Sequence, residues 1–203
     1  YRDMLLTTRG IEEAISGVSL FDETIRTAAL DGTPFPQVLS KKGIMPGIKV
    51  DKGPIDIPGF PGETVTEGLD GLRARVKEYK DLGAKFAKWR AVITIGDAIP
   101  TRNCLVQNAH ALARYAALCQ EGGIVPIVEP EVLLDGNHTI ERCEEVTEAT
   151  LRITFSTLLE QRVHLEGMIL KPSMVVSGKD NARQAGVAEV AERTIRCLKR
   201  TVP

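Results

Sequence analysis

One apolar run between two helical stretches decides the fold class, and it is Ile124-Val125-Pro126-Ile127-Val128-Glu129-Pro130-Glu131. Its nearly unbroken apolar character is typical of a strand covered on both faces, as in a parallel sheet. A helical pattern at about 103–120 precedes the run and ends at Gly122-Gly123, and another at about 139–161 follows it. A helix, a strand and a helix in this order predict parallel strands joined by helical crossovers.

The same alternation extends toward both ends of the chain. Further apolar runs cover about 15–21, 45–50, 84–92 and 164–172, and further helical patterns cover about 69–82 and 186–200. A stretch at 54–62 that is rich in proline and glycine has no periodicity and is expected to be a loop. We therefore predict an α/β fold with five parallel strands.

Two architectures contain such an alternation: an open doubly wound sheet and a (β/α)8 TIM barrel. The sequence has neither GxGxxG after a strand nor GxxxxGKS or GxxxxGKT, which disfavours the nucleotide-binding form of the open sheet. A full barrel needs about 250 residues, so the 203 residues of this chain would supply part of one. The chain starts at Tyr1 without an initiator Met and stops at Pro203. We expect a single barrel domain, residues 1–203, that is incomplete at both ends.

The charge balance and the cysteines exclude several functional classes. Lys and Arg total 26 against 27 Asp and Glu, for a formal net charge of −1. The cation surplus that nucleic-acid or acidic-membrane binding needs is therefore absent. No apolar run approaches the roughly 20 residues that span a bilayer. The 4 cysteines lack CxxC spacing and are expected to be reduced, mostly buried thiols. We predict a cytoplasmic protein that binds neither nucleic acid nor membranes.

Charged residues mark the C-terminal ends of the predicted strands. They are Lys49 on the second run, Lys88 and Arg90 on the third, Glu129 and Glu131 on the fourth, and Lys171 on the fifth. In parallel α/β folds this edge of the sheet is where ligands bind. Because a partly buried charge is costly unless it is paired or used, we predict that these side chains form one functional cluster. The alternative is a structural ion-pair network without an open pocket.

The residue types in this set favour an anionic ligand and a covalent lysine. Three lysines and one arginine face two glutamates, a balance that suits a phosphorylated sugar. A cationic neighbourhood and removal from water favour the neutral amine of a lysine, which can attack a carbonyl and form a Schiff base. Lys171 has the most apolar sequence neighbourhood of the three lysines, and Glu129 is placed to move protons.

Two other kinds of chemistry have little support. The histidines His110, His138 and His164 do not have the spacing of metal ligands, so no metal site is predicted. No Ser or Cys sits in a nucleophile elbow with a plausible His partner, which disfavours acyl transfer.

Six motifs together resemble class I fructose-1,6-bisphosphate aldolase, in the order and spacing of that family. They are GIKVDKG at 47–53, GET at 62–64, GLDGL at 68–72, FAKWR at 86–90, VPIVEPE at 125–131 and LEGMILKP at 165–172. The resemblance runs essentially from end to end. It implies a TIM barrel and the reversible cleavage of fructose 1,6-bisphosphate to dihydroxyacetone phosphate and glyceraldehyde 3-phosphate, in glycolysis and gluconeogenesis.

The resemblance also implies catalytic roles, residue by residue. Lys171, in a leucine-Lys-Pro context, would be the Schiff-base lysine. Glu129 would be the general acid and base of carbinolamine formation and dehydration, with Glu131 beside it in the charge network. Lys88 would lie next to the nucleophile and stabilise the carbinolamine.

The remaining motif positions are implied to bind substrate. Arg90 and Lys49 would face the phosphorylated sugar, with Lys49 near the phosphate on the aldehyde-product side, and Asp51 occupies a further motif position. The resemblance also implies that no metal ion or other cofactor is needed, and it implies a cytoplasmic protein that forms a homotetramer, the usual assembly of the family.

The chain departs from the family pattern at its two ends. The family's Asp on the first barrel strand and the phosphate-binding serines after it would precede Tyr1. The last two strands, with a Ser/Gly and an Arg that hold the other phosphate, would follow Pro203, as would a C-terminal tyrosine tail. Pro172-Ser173 stands where many members have Pro-Asn, and little effect is expected from it. We expect the 203 residues alone not to turn over fructose 1,6-bisphosphate.

Two alternatives remain beside the aldolase interpretation. A different Schiff-base aldolase on the same barrel would keep Lys171 and prefer another sugar acid or phosphate, but the KVDKG and AKWR matches argue against it. A scaffold or cytoskeleton-binding chain without catalysis would predict disrupted active-site lysines, whereas Lys49, Lys88 and Lys171 are all present. The sequence does not predict a preference between fructose 1,6-bisphosphate and fructose 1-phosphate.

Overall fold

The computed structural model describes all residues from Tyr1 to Pro203 and contains the predicted sheet. The chain has seven strands, of which β3 and β4 form a separate hairpin. They are β1 (Gly17–Leu20), β2 (Met45–Lys49), β3 (Gly53–Asp56), β4 (Thr64–Glu67), β5 (Phe86–Ile93), β6 (Val125–Val132) and β7 (Ile169–Leu170). The five-stranded sheet has the order β1-β2-β5-β6-β7, and every neighbouring pair is parallel. The prediction of an α/β fold with five parallel strands is confirmed.

Helices connect the strands along one side of the sheet. They are α1 (Arg2–Thr7), α2 (Asp22–Ile25), α3 (Phe35–Lys41), α4 (Leu72–Asp81), α5 (Arg102–Glu121), α6 (Ile140–Glu160) and α7 (Val187–Thr201). The four long helices agree with the predicted ranges, because each has a sustained apolar stripe. The short helices α1, α2 and α3 were not predicted, since their six, four and seven residues are too few for a helical period to show. No helix combines the length and the apolar character that crossing a bilayer requires.

Two sequence expectations about local structure are wrong. Part of the expected loop at 54–62 belongs to an antiparallel hairpin, in which β3 pairs with β4. A proline can sit in such a two-stranded edge because its missing N–H faces away from the ladder. The fifth apolar run contributes a strand of only two residues, because Leu165–Gly167 forms a 3-10 turn first.

The two faces of the sheet have different surroundings. In β5, Ala87 and Trp89 are fully buried under the helices, and the Trp89 ring packs 5.5 Å from the ring of Tyr115 on α5. The alternate residues of the same strand point to the opposite, concave face. There the Phe86 ring lies so close over Gly47 that a Cβ atom at Gly47 would stand 2.2 Å from it. β1 and β7 do not pair with each other, so the concave face is open.

A clamp of backbone hydrogen bonds joins the segments that follow β6 and β7. Gly178 N donates to His138 O at 2.9 Å, and Lys179 N donates to Leu134 O at 2.8 Å. The His138 side chain is enclosed in this clamp, with the residue only 8% exposed and neither ring nitrogen bonded to a protein group. Burial lowers the pKa of His138 below its ordinary value, because the charged imidazole would be removed from water without a partner.

We predict that His138 makes the protein less stable in mild acid. The unfolded chain takes up a proton at this imidazole below about pH 6.5, whereas the folded chain holds it neutral, so stability falls as pH drops through that value toward the lowered pKa. In urea unfolding at pH 7.5 and 5.5, His138→Phe should lose less stability between the two pH values than the wild type. His110→Phe, at an exposed position on α5, is the matched control. An equal loss in His138→Phe and the wild type would contradict the assignment.

Candidate active site

The structure brings the predicted site residues together, but Lys88, Arg90 and Glu129 lie within their strands and not at the strand ends as predicted, because β5 and β6 continue to Ile93 and Val132. We call them the strand-end cluster: Lys49, Asp51, Lys88, Arg90, Glu129, Glu131 and Lys171. Strand register explains the convergence, since Lys49 is level with Lys88 and Arg90 is level with Glu129. Lys171 follows directly after β7, and its N–H donates to Val128 O at 2.9 Å, which extends the ladder and places Lys171 beside Glu129.

Glu129 forms the buried centre of the cluster. The residue is 3% exposed, and its Oε1 accepts a hydrogen bond from Lys171 Nζ. Its Oε2 lies 2.6 Å from Lys88 Nζ, without the angles of a hydrogen bond, so that contact is an ion pair. The Lys171 side chain is 56% exposed although its amine contacts the buried carboxylate. A small molecule can therefore reach Lys171 while Glu129 remains out of bulk water.

Asp51 organises the part of the cluster nearest to β2. Its carboxylate is almost fully buried and accepts from Lys49 Nζ at 2.5 Å and from Gly53 N at 3.1 Å. Its other oxygen accepts from the backbone N–H of Arg90 at 3.4 Å. Asp51 thus links β2, the start of the hairpin and β5, a role that its motif position did not reveal.

Arg90 is held from two directions. Its Nε donates to Glu131 Oε2 across the β5–β6 pair, and its backbone oxygen accepts from Thr66 Oγ1 of the hairpin at 2.7 Å. The guanidinium is half-buried and keeps donor groups that Glu131 does not use. Such a group can bind an anion while its own carboxylate partner fixes its direction.

Ser173 has a structural role that the sequence did not predict. Its hydroxyl oxygen accepts from Val132 N at 3.1 Å and so ties the segment after Lys171 to the end of β6. The bond keeps β7 in place although that strand is only two residues long.

The ion pairing of a structural network is present, but the cluster has features that such a network does not need. Each of the three carboxylates pairs with a cation, and one more cation than carboxylate is present. A purely structural ion pair does not require that an amine bonded to a buried carboxylate also be accessible to solvent. Lys171 meets that description, and it does so at the strand edge where parallel α/β proteins bind ligands.

The thiols offer no competing nucleophile. All four cysteines are free and buried, as predicted. Burial raises the pKa of Cys104 to about 11 and that of Cys119 to about 12. Thiolates, the reactive form, are therefore scarce at neutral pH. No group of three or more His, Cys, Asp or Glu side chains has the arrangement of a metal site.

Comparisons with known proteins agree on one family. A family model described as fructose-bisphosphate aldolase class-I matches residues 1–203. A probable fructose-bisphosphate aldolase class 1 of Xanthomonas campestris is 64% identical over 203 residues, which are 100% of this chain and 61% of that protein. Cytosolic fructose-bisphosphate aldolase 6 of Arabidopsis thaliana is 50% identical over 202 residues, or 56% of its length. The chain thus spans about three fifths of the curated relatives it matches.

A solved structure shows the same backbone arrangement. The fructose-bisphosphate aldolase of Plasmodium falciparum, crystallised with TRAP and a small-molecule inhibitor, superimposes with a TM-score of 0.97 at 46% identity. The match covers 100% of this chain and 59% of that one. The five strands therefore have the curvature of part of a TIM barrel.

We predict that Lys88 and Glu129 are energetically coupled. Lys88→Met leaves a buried carboxylate with one cation fewer and should lower the free energy of unfolding by roughly 1–3 kcal/mol. Combining it with Glu129→Gln removes the stranded charge, so the double variant should lose less stability than the sum of the two single variants. Urea unfolding of all four proteins measures the coupling. Simple additivity would show that the contact contributes nothing.

Proposed function

The chain belongs to the class-I fructose-bisphosphate aldolase family, and on that premise we propose that the strand-end cluster performs the Schiff-base chemistry of an aldolase. The substrate is a phosphorylated ketose, fructose 1,6-bisphosphate, and its reversible cleavage gives dihydroxyacetone phosphate and glyceraldehyde 3-phosphate. The reaction belongs to glycolysis and gluconeogenesis. The observation that carries the proposal is the buried Glu129 carboxylate between the amines of Lys171 and Lys88.

Lys171 and Glu129 divide the covalent chemistry between them. The neutral amine of Lys171 attacks C2 of the ketose, and the carbonyl oxygen takes up a proton to give a carbinolamine. Glu129 takes a proton from the attacking nitrogen and returns one to the C2 hydroxyl, which leaves as water. The remaining iminium becomes an enamine by accepting the electron pair of the C3–C4 bond, while the C4 hydroxyl loses its proton and becomes the aldehyde. The resemblance implies that the family's Asp on the first barrel strand takes this proton. Contact between Glu129 and the amine, on the dry side of the site, supports this division.

Lys88 assists without forming a bond to substrate. Its ammonium lies beside the same carboxylate, so it keeps positive charge next to the reacting nitrogen. Positive charge there stabilises an oxygen that gains negative charge as the carbinolamine forms. Glu131 directs Arg90 and completes the charge balance of the cluster.

Lys49 and Arg90 bind the anionic end of the sugar. In the sheet order, β2 lies three strands from β7, which is on the order of 14 Å along the sheet at about 4.8 Å per strand. Both lysine side chains extend from their strands onto the concave face, so a hexose bisphosphate bonded to Lys171 through C2 has to bridge only part of that span to place its far phosphate at Lys49. The cations are therefore spaced for a substrate with a carbonyl at one end and a phosphate at the other.

The location and assembly follow the family. The Arabidopsis relatives are named cytosolic, which supports a cytoplasmic location for this protein. A homotetramer is the assembly that the resemblance implies.

The first test is to trap the Schiff base. Borohydride reduction in the presence of dihydroxyacetone phosphate should attach the ligand to Lys171, as identified by peptide mass spectrometry. Lys171→Met should abolish the adduct. Lys77→Met is the matched control, because Lys77 is an exposed lysine on α4 and should have no effect. A label on another lysine, or one that persists in Lys171→Met, would refute the assignment, and sensitivity to chelators would favour a metal-dependent enzyme.

The second test concerns proton transfer by Glu129. Glu129→Gln should lower the rate of adduct formation at saturating dihydroxyacetone phosphate by about 10²- to 10⁴-fold, the usual contribution of a general acid or base. The adduct that forms should still be on Lys171. Glu145→Gln, which changes an exposed carboxylate on α6, is the matched control. An unchanged rate in Glu129→Gln would remove Glu129 from the mechanism.

A further inference from the structure

Phe21 lies at the mouth of the site without having been predicted there. It follows directly after β1, and the register of β1 against β2 pairs Ser19 with Gly47 and Leu20 with Ile48. The next step of that register puts Phe21 level with Lys49, on the concave face of the sheet. The residue is 62% exposed, an unusual state for a large aromatic side chain.

The ring of Phe21 contacts a cation of the strand-end cluster. Lys49 Nζ lies over the ring, 5.8 Å from its centroid, which is within the range of a cation–π interaction. The Phe21 backbone is fixed, because its carbonyl oxygen accepts from Ile25 N at 2.9 Å at the start of α2. Ile25 itself is buried, so the end of α2 that bonds to Phe21 is anchored in the core.

Lys49 is therefore held between two groups of different character. Asp51 bonds to its ammonium at 2.5 Å and offsets its charge. The Phe21 ring attracts the same ammonium through its quadrupole and adds no negative charge. The ring thus gives the ammonium, which is already bonded to Asp51, a second contact on the side of β1 that does not neutralise its charge.

We propose that Phe21 is a positioning residue that presents Lys49 to the far phosphate of the ketose bisphosphate. The proposal rests on the proposed function, because it assumes that a ketose is bonded to Lys171 and extends toward Lys49. It gives Phe21 a part in discriminating substrates with two phosphates from those with one. Dihydroxyacetone phosphate has its single phosphate near the carbonyl, so Phe21 should not affect its binding.

The test compares Phe21→Leu, which keeps an apolar side chain but removes the ring, with Phe21→Tyr, which keeps the ring. Borohydride trapping gives two quantities for each ketose, the half-saturating concentration and the limiting rate. Phe21→Leu should raise the half-saturating concentration of fructose 1,6-bisphosphate by about two- to fivefold, the effect of one cation–π contact. Its limiting rate and its half-saturation by dihydroxyacetone phosphate should stay unchanged. Phe21→Tyr should match the wild type.

Repeating the Phe21→Leu comparison in a protein that also carries Lys49→Met shows whether Phe21 acts through Lys49. In a Lys49→Met protein, Phe21→Leu should cause no further change, because the ring has lost its cation. Leu30→Ala, at a fully exposed apolar position, controls for a general loss of apolar surface. The proposal is overturned if Phe21→Leu binds fructose 1,6-bisphosphate like the wild type, if both ketoses are affected equally, or if the effect persists without Lys49.

Calorimetry separates this proposal from the proposed function. The dissociation constant of fructose 1,6-bisphosphate is measured in Lys171→Met, with and without Phe21→Leu, so that no covalent step contributes. A two- to fivefold weaker affinity in the presence of Phe21→Leu supports the positioning role even if trapping fails. Trapping on Lys171 with no calorimetric difference would leave the Schiff-base mechanism intact and refute the role of Phe21.

Discussion

The buried carboxylate of Glu129 is the constraint on which the rest of the site depends. An ionised carboxylate removed from water is costly unless cations and hydrogen bonds replace the lost hydration. Lys88 and Lys171 supply them from the strands on either side of β6. The carboxylate therefore requires the β5–β6–β7 order in the correct register, because a shift of one residue would turn one of the lysines to the opposite face.

Several hydrogen bonds outside the reacting groups help to hold the strands in that register. Thr66 of the hairpin bonds to the backbone of Arg90, and Ser173 bonds to the end of β6. Asp51 connects the adjoining strand through Lys49 and the Arg90 backbone. The Ser173 bond lies at the end of β6, and the Thr66 and Asp51 bonds reach Arg90 inside β5. These bonds hold the charged side chains in place, which is the supporting structure that a preorganised site needs.

The parallel sheet and the long helices could be predicted from the sequence because each has a strong local pattern. Unbroken apolar runs such as 124–131 identify strands, and isolated charges at the ends of the runs identify the edge where Lys88, Glu129 and Lys171 meet. The pairing of those charges could not be predicted, since it depends on distances across strands. The hairpin was missed because its alternation is short and interrupted by proline and glycine. Phe21 was missed because one aromatic residue after a strand has no distinguishing pattern, and its meaning comes only from the position of Lys49.

The contact of the Glu129 carboxylate with both Lys171 and Lys88 is tested most directly by a crystal structure of the chain after reduction with borohydride in the presence of dihydroxyacetone phosphate. We expect a C–N bond between Lys171 Nζ and C2 of the ligand, with the Glu129 carboxylate still within hydrogen-bond distance of that nitrogen and of Lys88 Nζ. Such a result would show one buried carboxylate serving both lysines during the reaction. A ligand bonded elsewhere, or a Glu129 side chain turned away from the reduced nitrogen, would contradict it.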